Sequence, residues 1–146
     1  MQTAADVARY FLSLADEEAG DTLSNLKLQK LLYYAQGFSL AIDDQPLFGE
    51  RLEAWTHGPV VPDVYHLFKS YGSGPIPLPG DFDPMSLDAG TRELLDEVYE
   101  VYGQYSAWKL RNMTHDEDPW KDAYDEEPSS QIPHGALQRF FKTRLN

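Results

Sequence analysis

The stretch Ser24-Asn-Leu-Lys-Leu-Gln-Lys-Leu-Leu-Tyr-Tyr-Ala-Gln-Gly-Phe-Ser-Leu-Ala41 decides the fold class. Ser24 has the chemistry of a helix N-cap, because its hydroxyl can accept from a free amide of the first turn. Leu28, Leu31, Leu32, Ala35 and Phe38 follow at steps of three and four, the stripe of an amphipathic helix. Leu26, Tyr33, Tyr34 and Leu40 widen that stripe, which predicts a helix packed on more than one side. Lys27, Gln29, Lys30 and Gln36 interrupt its apolar surface.

Working outward, the chain supplies partners for such a helix. Upstream, Val7, Tyr10, Phe11 and Leu14 share one face and predict a helix over 3–17, capped by Thr3 or Asp6 and ended at Gly20-Asp21. Downstream, Asp43-Asp44-Gln45-Pro46 is turn chemistry. Leu47-Phe48, Gly49-Glu50, and the alternation of Leu52, Ala54 and Trp55 predict a short β-hairpin near residues 46–56, with His57-Gly58-Pro59 breaking the strand. Pro62 suits the start of a helix to about residue 71, with Val64, Tyr65, Leu67 and Phe68 inward. Four prolines and three glycines in 72–86 predict an irregular loop. Further helices are expected over 87–102, over 106–113 and from Pro133 onward, with Thr114–Trp120 a polar turn ended by the tryptophan and residues 116–128 strongly acidic. The expected architecture is mainly α. It is a compact single-domain bundle of about six helices with one hairpin, residues 1–146 making one domain.

Composition narrows the function. The 146 residues carry 12 basic and 24 acidic side chains, a net charge of −12. Direct nucleic-acid binding calls for a basic stripe, so none is expected. The acidity serves solubility, or it draws in and orients a basic protein partner; both readings stand. Cysteine is absent, which removes disulfides and thiolate chemistry and fits a cytoplasmic protein. The N-terminus lacks a basic and apolar leader, and no stretch reaches the ~20 apolar residues of a membrane span. No membrane anchor is therefore expected. Nine Tyr, seven Phe and three Trp are enough for both a core and an interface.

Catalytic signatures are sparse. No glycine-rich phosphate loop follows a strand, no serine sits in a Gly-x-Ser-x-Gly elbow, and His57, His66, His115 and His134 lack metal spacing. No cofactor and no metal are expected. His115 beside Asp116, Glu117 and Asp118 is the best enzymatic candidate, as a general base or with hard metal ligands. Its alternative is a histidine that orders a turn among solvated acids. Lys30 and Tyr34, at i and i+4, could jointly hold a carboxylate; the alternative is a buried helix whose polar side chains snorkel outward. Trp55, His57, Gly58 and Pro59 form either a binding corner or a structural strand-to-helix corner. Trp120 either caps the core or anchors an interface.

Four spaced motifs give the chain a resemblance. They are Lys27-Leu-Gln29-Lys30-Leu-Leu-Tyr33-Tyr34-Ala-Gln36-Gly37, Pro46-Leu-Phe48, Glu53-Ala-Trp55-Thr-His57-Gly58-Pro59-Val60 with Val64-Tyr65, and Thr114-His115-x-x-x-Pro119-Trp120. In this order, across about residues 5–142, they resemble the Panacea domain of SocA-like antitoxins, which also occurs in phage-associated proteins of the GepA type. The chain departs from the family pattern in carrying Phe38-Ser39 where Trp-His is frequent. It also has three residues rather than two between His115 and Pro119. The resemblance implies a mainly helical fold encoded beside a toxin gene, and direct neutralisation of that toxin. It also implies, for SocA-like members, delivery of a toxin to the ClpXP protease. The domain fills the chain, so an added DNA-binding segment is not expected.

Three readings follow: a toxin-neutralising binding module, contacting its partner through the exposed face of the first two helices or through residues 116–127; a proteolytic adaptor for ClpXP; and a small hydrolase or metal-dependent enzyme centred on His115. The first leads, with a protein toxin as partner and no enzymatic activity of its own.

Overall fold

Helix α2, Asn25–Asp43, is the axis on which the rest of the chain is assembled. Ser24 caps it, its hydroxyl accepting from the Lys27 amide, and Asp44 in the left-handed region (φ 55°) ends it. Fourteen of its nineteen residues are buried, and they face in every direction around the helix. A helix apolar all round is stable only inside a shell of other elements. The computed structural model describes residues 1–15 and 20–145, and they fold mainly as helices.

The shell is built in chain order. Helix α1, Ala4–Leu14, is capped by Thr3, whose Oγ1 accepts from the Asp6 amide. Residues 16 and 17 of the expected helix lie outside the described residues. Strands β1, Glu53–Trp55, and β2, Gly58–Val60, form an antiparallel pair. Helix α3 is Pro62–Phe68, continued by a 3-10 turn over Lys69–Tyr71. After a long loop come α4, Ala89–Tyr102, α5, Ala107–His115, α6, Asp118–Glu126, and α7, His134–Lys142. Helices α1, α3, α4, α5 and α7 and strand β2 all pack on α2, with α7 the most extensive neighbour. Side chains from all seven helices meet in one continuous apolar cluster.

The hairpin sits further along the chain than its alternation predicts. Leu47 and Phe48 do not pair with 52–55, because their backbone is claimed elsewhere. Both amides donate to Gln36 Oε1, at 2.7 and 3.3 Å, and the Leu47 carbonyl accepts from the Gln2 amide at 2.9 Å. The chain instead reverses at Thr56-His57, and His57-Gly58-Pro59 leads into the second strand rather than breaking the first. Gly58 takes a φ of 113°, open to glycine and strained for other residues. Pro59 faces Ala54, whose own N–H and C=O point away toward Ser130 and Ser129, so its missing amide costs no ladder bond.

Other expectations shift in smaller ways. Residues 114–120 are not one polar turn: Thr114 and His115 end α5, and α6 begins at Asp118, runs through the acidic segment and makes a seventh helix. Pro119 at its start and Trp120, Ala123 and Tyr124 on one face suit the helix. The loop over 72–86 contains a 3-10 turn at Pro84–Ser86, where the Asp83 carboxylate accepts from the Met85 amide. Leu67, expected inward, is exposed, because a helix of seven residues turns only one face to its neighbours. Leu145 likewise stays exposed beyond the end of α7.

The contact between α2 and α7 depends on Gly37. A methyl group there would fall inside the van der Waals envelope of the Phe141 ring. Gly37→Ala is therefore expected to cost about 1–3 kcal/mol in urea unfolding. Combined with Phe141→Leu it should cost less than the sum of the two single changes, as a double-mutant cycle would show.

Candidate functional site

The polar side chains of α2 turn inward and bind the backbone of the segments around them. Gln29 Oε1 accepts from the Val61 amide at 2.8 Å while its Nε2 donates to Asn25 at 2.9 Å. Gln36 serves both sides of residues 47–48, also donating to the Phe48 carbonyl at 2.9 Å. Lys27, half-buried, reaches the Gly103 carbonyl at 2.6 Å. The buried backbone groups of Leu47, Phe48 and Val61 would otherwise lack a partner, a cost of about 1–3 kcal/mol apiece.

Lys30 does not snorkel. It is wholly buried, and its ammonium donates to the Pro59 carbonyl at 3.0 Å. Burial, with Arg111 nearby, pulls its pKa down to about 7. Lys30 and Tyr34 do not share a carboxylate. Tyr34 pairs instead with Tyr33. The two phenols donate to the two carboxylate oxygens of Glu117, at 2.9 Å from Tyr33 and 3.0 Å from Tyr34. Adjacent buried tyrosines each need an acceptor, and one carboxylate meets both demands. Burial pushes the Glu117 carboxyl up to about 7, against the pull of the two phenols and of Arg144 and with a smaller push from Asp116. It pushes both phenols well above the ordinary tyrosine value, with the Glu117 charge adding to the effect. Tyr102 closes this unit, stacked on Tyr34 at 3.8 Å between ring centres.

The remaining motifs converge beside it on the hairpin turn. Gly58 lies against the stem of Lys30 and the Thr114 hydroxyl, where an added Cβ would come within 2.5 Å of Lys30 Cε. Thr114 is buried and donates to the Arg111 carbonyl at 2.8 Å. Trp120 is buried over the turn, with Pro119 buried at its side. Its Nε1 donates to the Trp55 carbonyl at 2.8 Å, and its ring stacks on His115 at 4.0 Å. Trp55 is half-buried, Nε1 bonded to Glu53 and its ring edge-on to Tyr65 at 5.0 Å. His57 is exposed at the tip, its Nδ1 3.5 Å from Arg111 Nε.

His115 and its three acids do not converge. Glu117 turns inward to the tyrosines, whereas Asp116 and Asp118 face solvent. The His115 ring lies flat on Trp120 with Nε2 buried and unbonded, and burial lowers its pKa. Among the described residues no three His, Asp or Glu side chains gather as metal ligands. The motif reading missed Tyr102 and Phe141, and it set Glu117 beside His115 rather than against the two tyrosines. The available signal was the Tyr33-Tyr34 pair, whose hydroxyls cannot both be buried without an acceptor.

Comparison with known proteins places these features in a wider setting. The family described as "Antitoxin SocA-like, Panacea domain" matches residues 28–121, the span from α2 into α6. A stretch of 50 residues is 50% identical to "Antitoxin SocA" of Caulobacter vibrioides (strain NA1000 / CB15N), covering 34% of this chain and 27% of that protein. No solved structure matches the chain.

The two buried ionisable groups give stability a characteristic pH dependence. Glu117 favours its protonated form in the fold, so its contribution is complete below 4.5 and is lost as pH rises through about 7. Lys30 favours its neutral form, so its contribution is complete above 10.5 and is lost as pH falls to about 7. Urea unfolding across pH should show stability falling between 4.5 and 7, by about 3 kcal/mol, and recovering between 7 and 10.5, by about 5 kcal/mol. Glu117→Gln is expected to abolish the falling limb and Lys30→Met the rising one.

Proposed function

The chain belongs to the Panacea-domain family of SocA-like antitoxins, and from that premise we propose that it neutralises a protein toxin by covering the toxin's surface, as the antitoxin of a type II-like pair. The family match across residues 28–121 carries the reading. The geometry adds a reason to favour binding over catalysis. The polar motif residues of α2 hold the fold, and the acids beside His115 point apart, so these motif residues, among the described residues, form no set of groups aimed at one substrate atom. The motif residues around Gly58 and Trp120 hold the hairpin corner, and partner contact falls to the acidic exterior. A chain of net charge −12 attracts and orients a basic partner. No helix of the described residues is long and apolar enough to cross a membrane, and the partner is a protein encoded by a neighbouring gene.

Co-expression with that neighbouring gene product should restore growth, and the two proteins should copurify as a stable complex. His115→Ala is expected to protect as well as the unaltered chain. Loss of protection by a folded His115→Ala protein would favour an enzyme instead. Disappearance of the toxin only when an ATP-dependent protease such as ClpXP is present would favour the adaptor route over occlusion.

A further inference from the structure

Between the last turns of α2 and the outward side of α4 runs an open groove, bounded at one end by the residues after α7. Phe38, Leu94 and Tyr102 form its half-buried floor. Ile42, Val101 and Leu145 stand along it with 53%, 49% and 40% of their surface exposed. The groove encloses about 390 Å³ and opens into a second hollow of about 380 Å³ that shares Ile42, Leu94 and Glu97. Apolar side chains left this open beside one another mark a surface that meets something.

The walls say what it meets. Glu93 and Glu97 stand four residues apart on α4, so their carboxylates lie one turn from each other beside the apolar strip. Asp43, at the end of α2, faces them across the second hollow. Among the described residues none of these three carboxylates takes part in an ion pair. Arg144 is the one cation lining either hollow, and its guanidinium lies over the Phe140 ring at 4.4 Å. The charge pattern thus repels an anionic ligand. It also opposes a second copy of this chain, which would bring like charge against like.

We propose that this groove is the surface on which the toxin docks, and that it receives a cationic amphipathic helix of that partner. The partner's apolar side chains would lie between α2 and α4, and its Lys and Arg residues would lie against Glu93 and Glu97. Two helices flanking an apolar trough make the usual seat for a third helix. The fourteen residues of α4 provide a wall about 21 Å long, room for a partner helix of four turns. This inference rests on the antitoxin reading for the identity of the partner, but the chemistry of the groove is testable without it.

A labelled leucine–lysine peptide, helical and about fourteen residues long to match α4, serves as the probe. Titrated with the full chain, it should bind, and binding should weaken as salt rises. The same peptide with glutamate for lysine should not bind. The double variant Glu93→Lys/Glu97→Lys, and separately Val101→Asp, should weaken binding at least about tenfold. Asp122→Lys/Glu126→Lys, an equal charge change on exposed positions of α6, should leave it within about twofold. Equal loss with both charge-changed pairs, equal binding of the acidic peptide, or a chain dimer dissolved by Val101→Asp would each overturn the proposal. Circular dichroism confirms that every variant folds. In the growth assay the groove variants should lose protection while the α6 pair keeps it. Full protection by folded groove variants would overturn the docking surface and leave the antitoxin reading standing. Failure of the unaltered chain to protect would strike that reading and the toxin assignment with it, while the peptide titration still decides whether the groove takes a cationic helix.

Discussion

Six polar side chains on one buried helix supply hydrogen bonds to the main chain of the segments wrapped around it. Asn25 donates to the Tyr65 carbonyl, Lys27 to Gly103, Lys30 to Pro59 and Ser39 to Gln45. Gln29 accepts from Val61, and Gln36 serves Leu47 and Phe48 from both ends of its amide. Where those segments are buried, as at Leu47, Phe48 and Val61, the backbone cannot bond to water, and irregular backbone has no ladder of its own to satisfy it. The helix therefore acts as a template whose side chains replace the missing secondary structure. An apolar helix in the same place would bury as much surface but leave those amides and carbonyls unmet.

That constraint divides the molecule into an inside and an outside with different duties. Inside lie Gln29, Lys30, Tyr33, Tyr34 and Gln36, together with Gly37, Gly58, Thr114 and Trp120, and all are engaged with other parts of the same chain. Glu117 belongs with them, an acid held at the centre by two phenols rather than by a counter-ion. Outside lie the carboxylates that give the chain its charge, and on α4 they border an apolar trough. The interior motif explains why so many folded details repeat one sequence pattern. The exterior is where partners can differ, since substitutions there leave the template untouched.

Much of this was legible along the sequence. Thr3, Ser24 and Ser106 cap helices as their chemistry predicts, and the three- and four-residue steps mark α1, α2, α4 and α7. The width of the apolar surface on 24–41 already implied packing on several sides, and the α2 helix is buried in just that way. The hairpin was expected near the right place but on the wrong residues, since alternation around Gly49-Glu50 looks the same as alternation that ends in a loop. The acidic run masks α6, because a cluster of charges has the look of a solvated turn even where a Pro119 start and the spacing of Trp120, Ala123 and Tyr124 suit a helix. The Lys30–Tyr34 pairing followed from helical spacing, yet neighbours on a helix face need not share a ligand.

Local order is therefore a property of the sequence itself. Period, caps, prolines and glycines act between residues a few positions apart, and their energies are settled before any distant segment arrives. Only the tertiary structure decided that Gln36 holds residues 47–48, that the reversal falls at Thr56-His57, and that Glu117 rather than Lys30 meets Tyr34. Those outcomes turn on buried polar groups choosing among partners separated by eleven to more than eighty residues. Such a choice depends on which groups lose water together when the core closes, and no spacing along the chain records it.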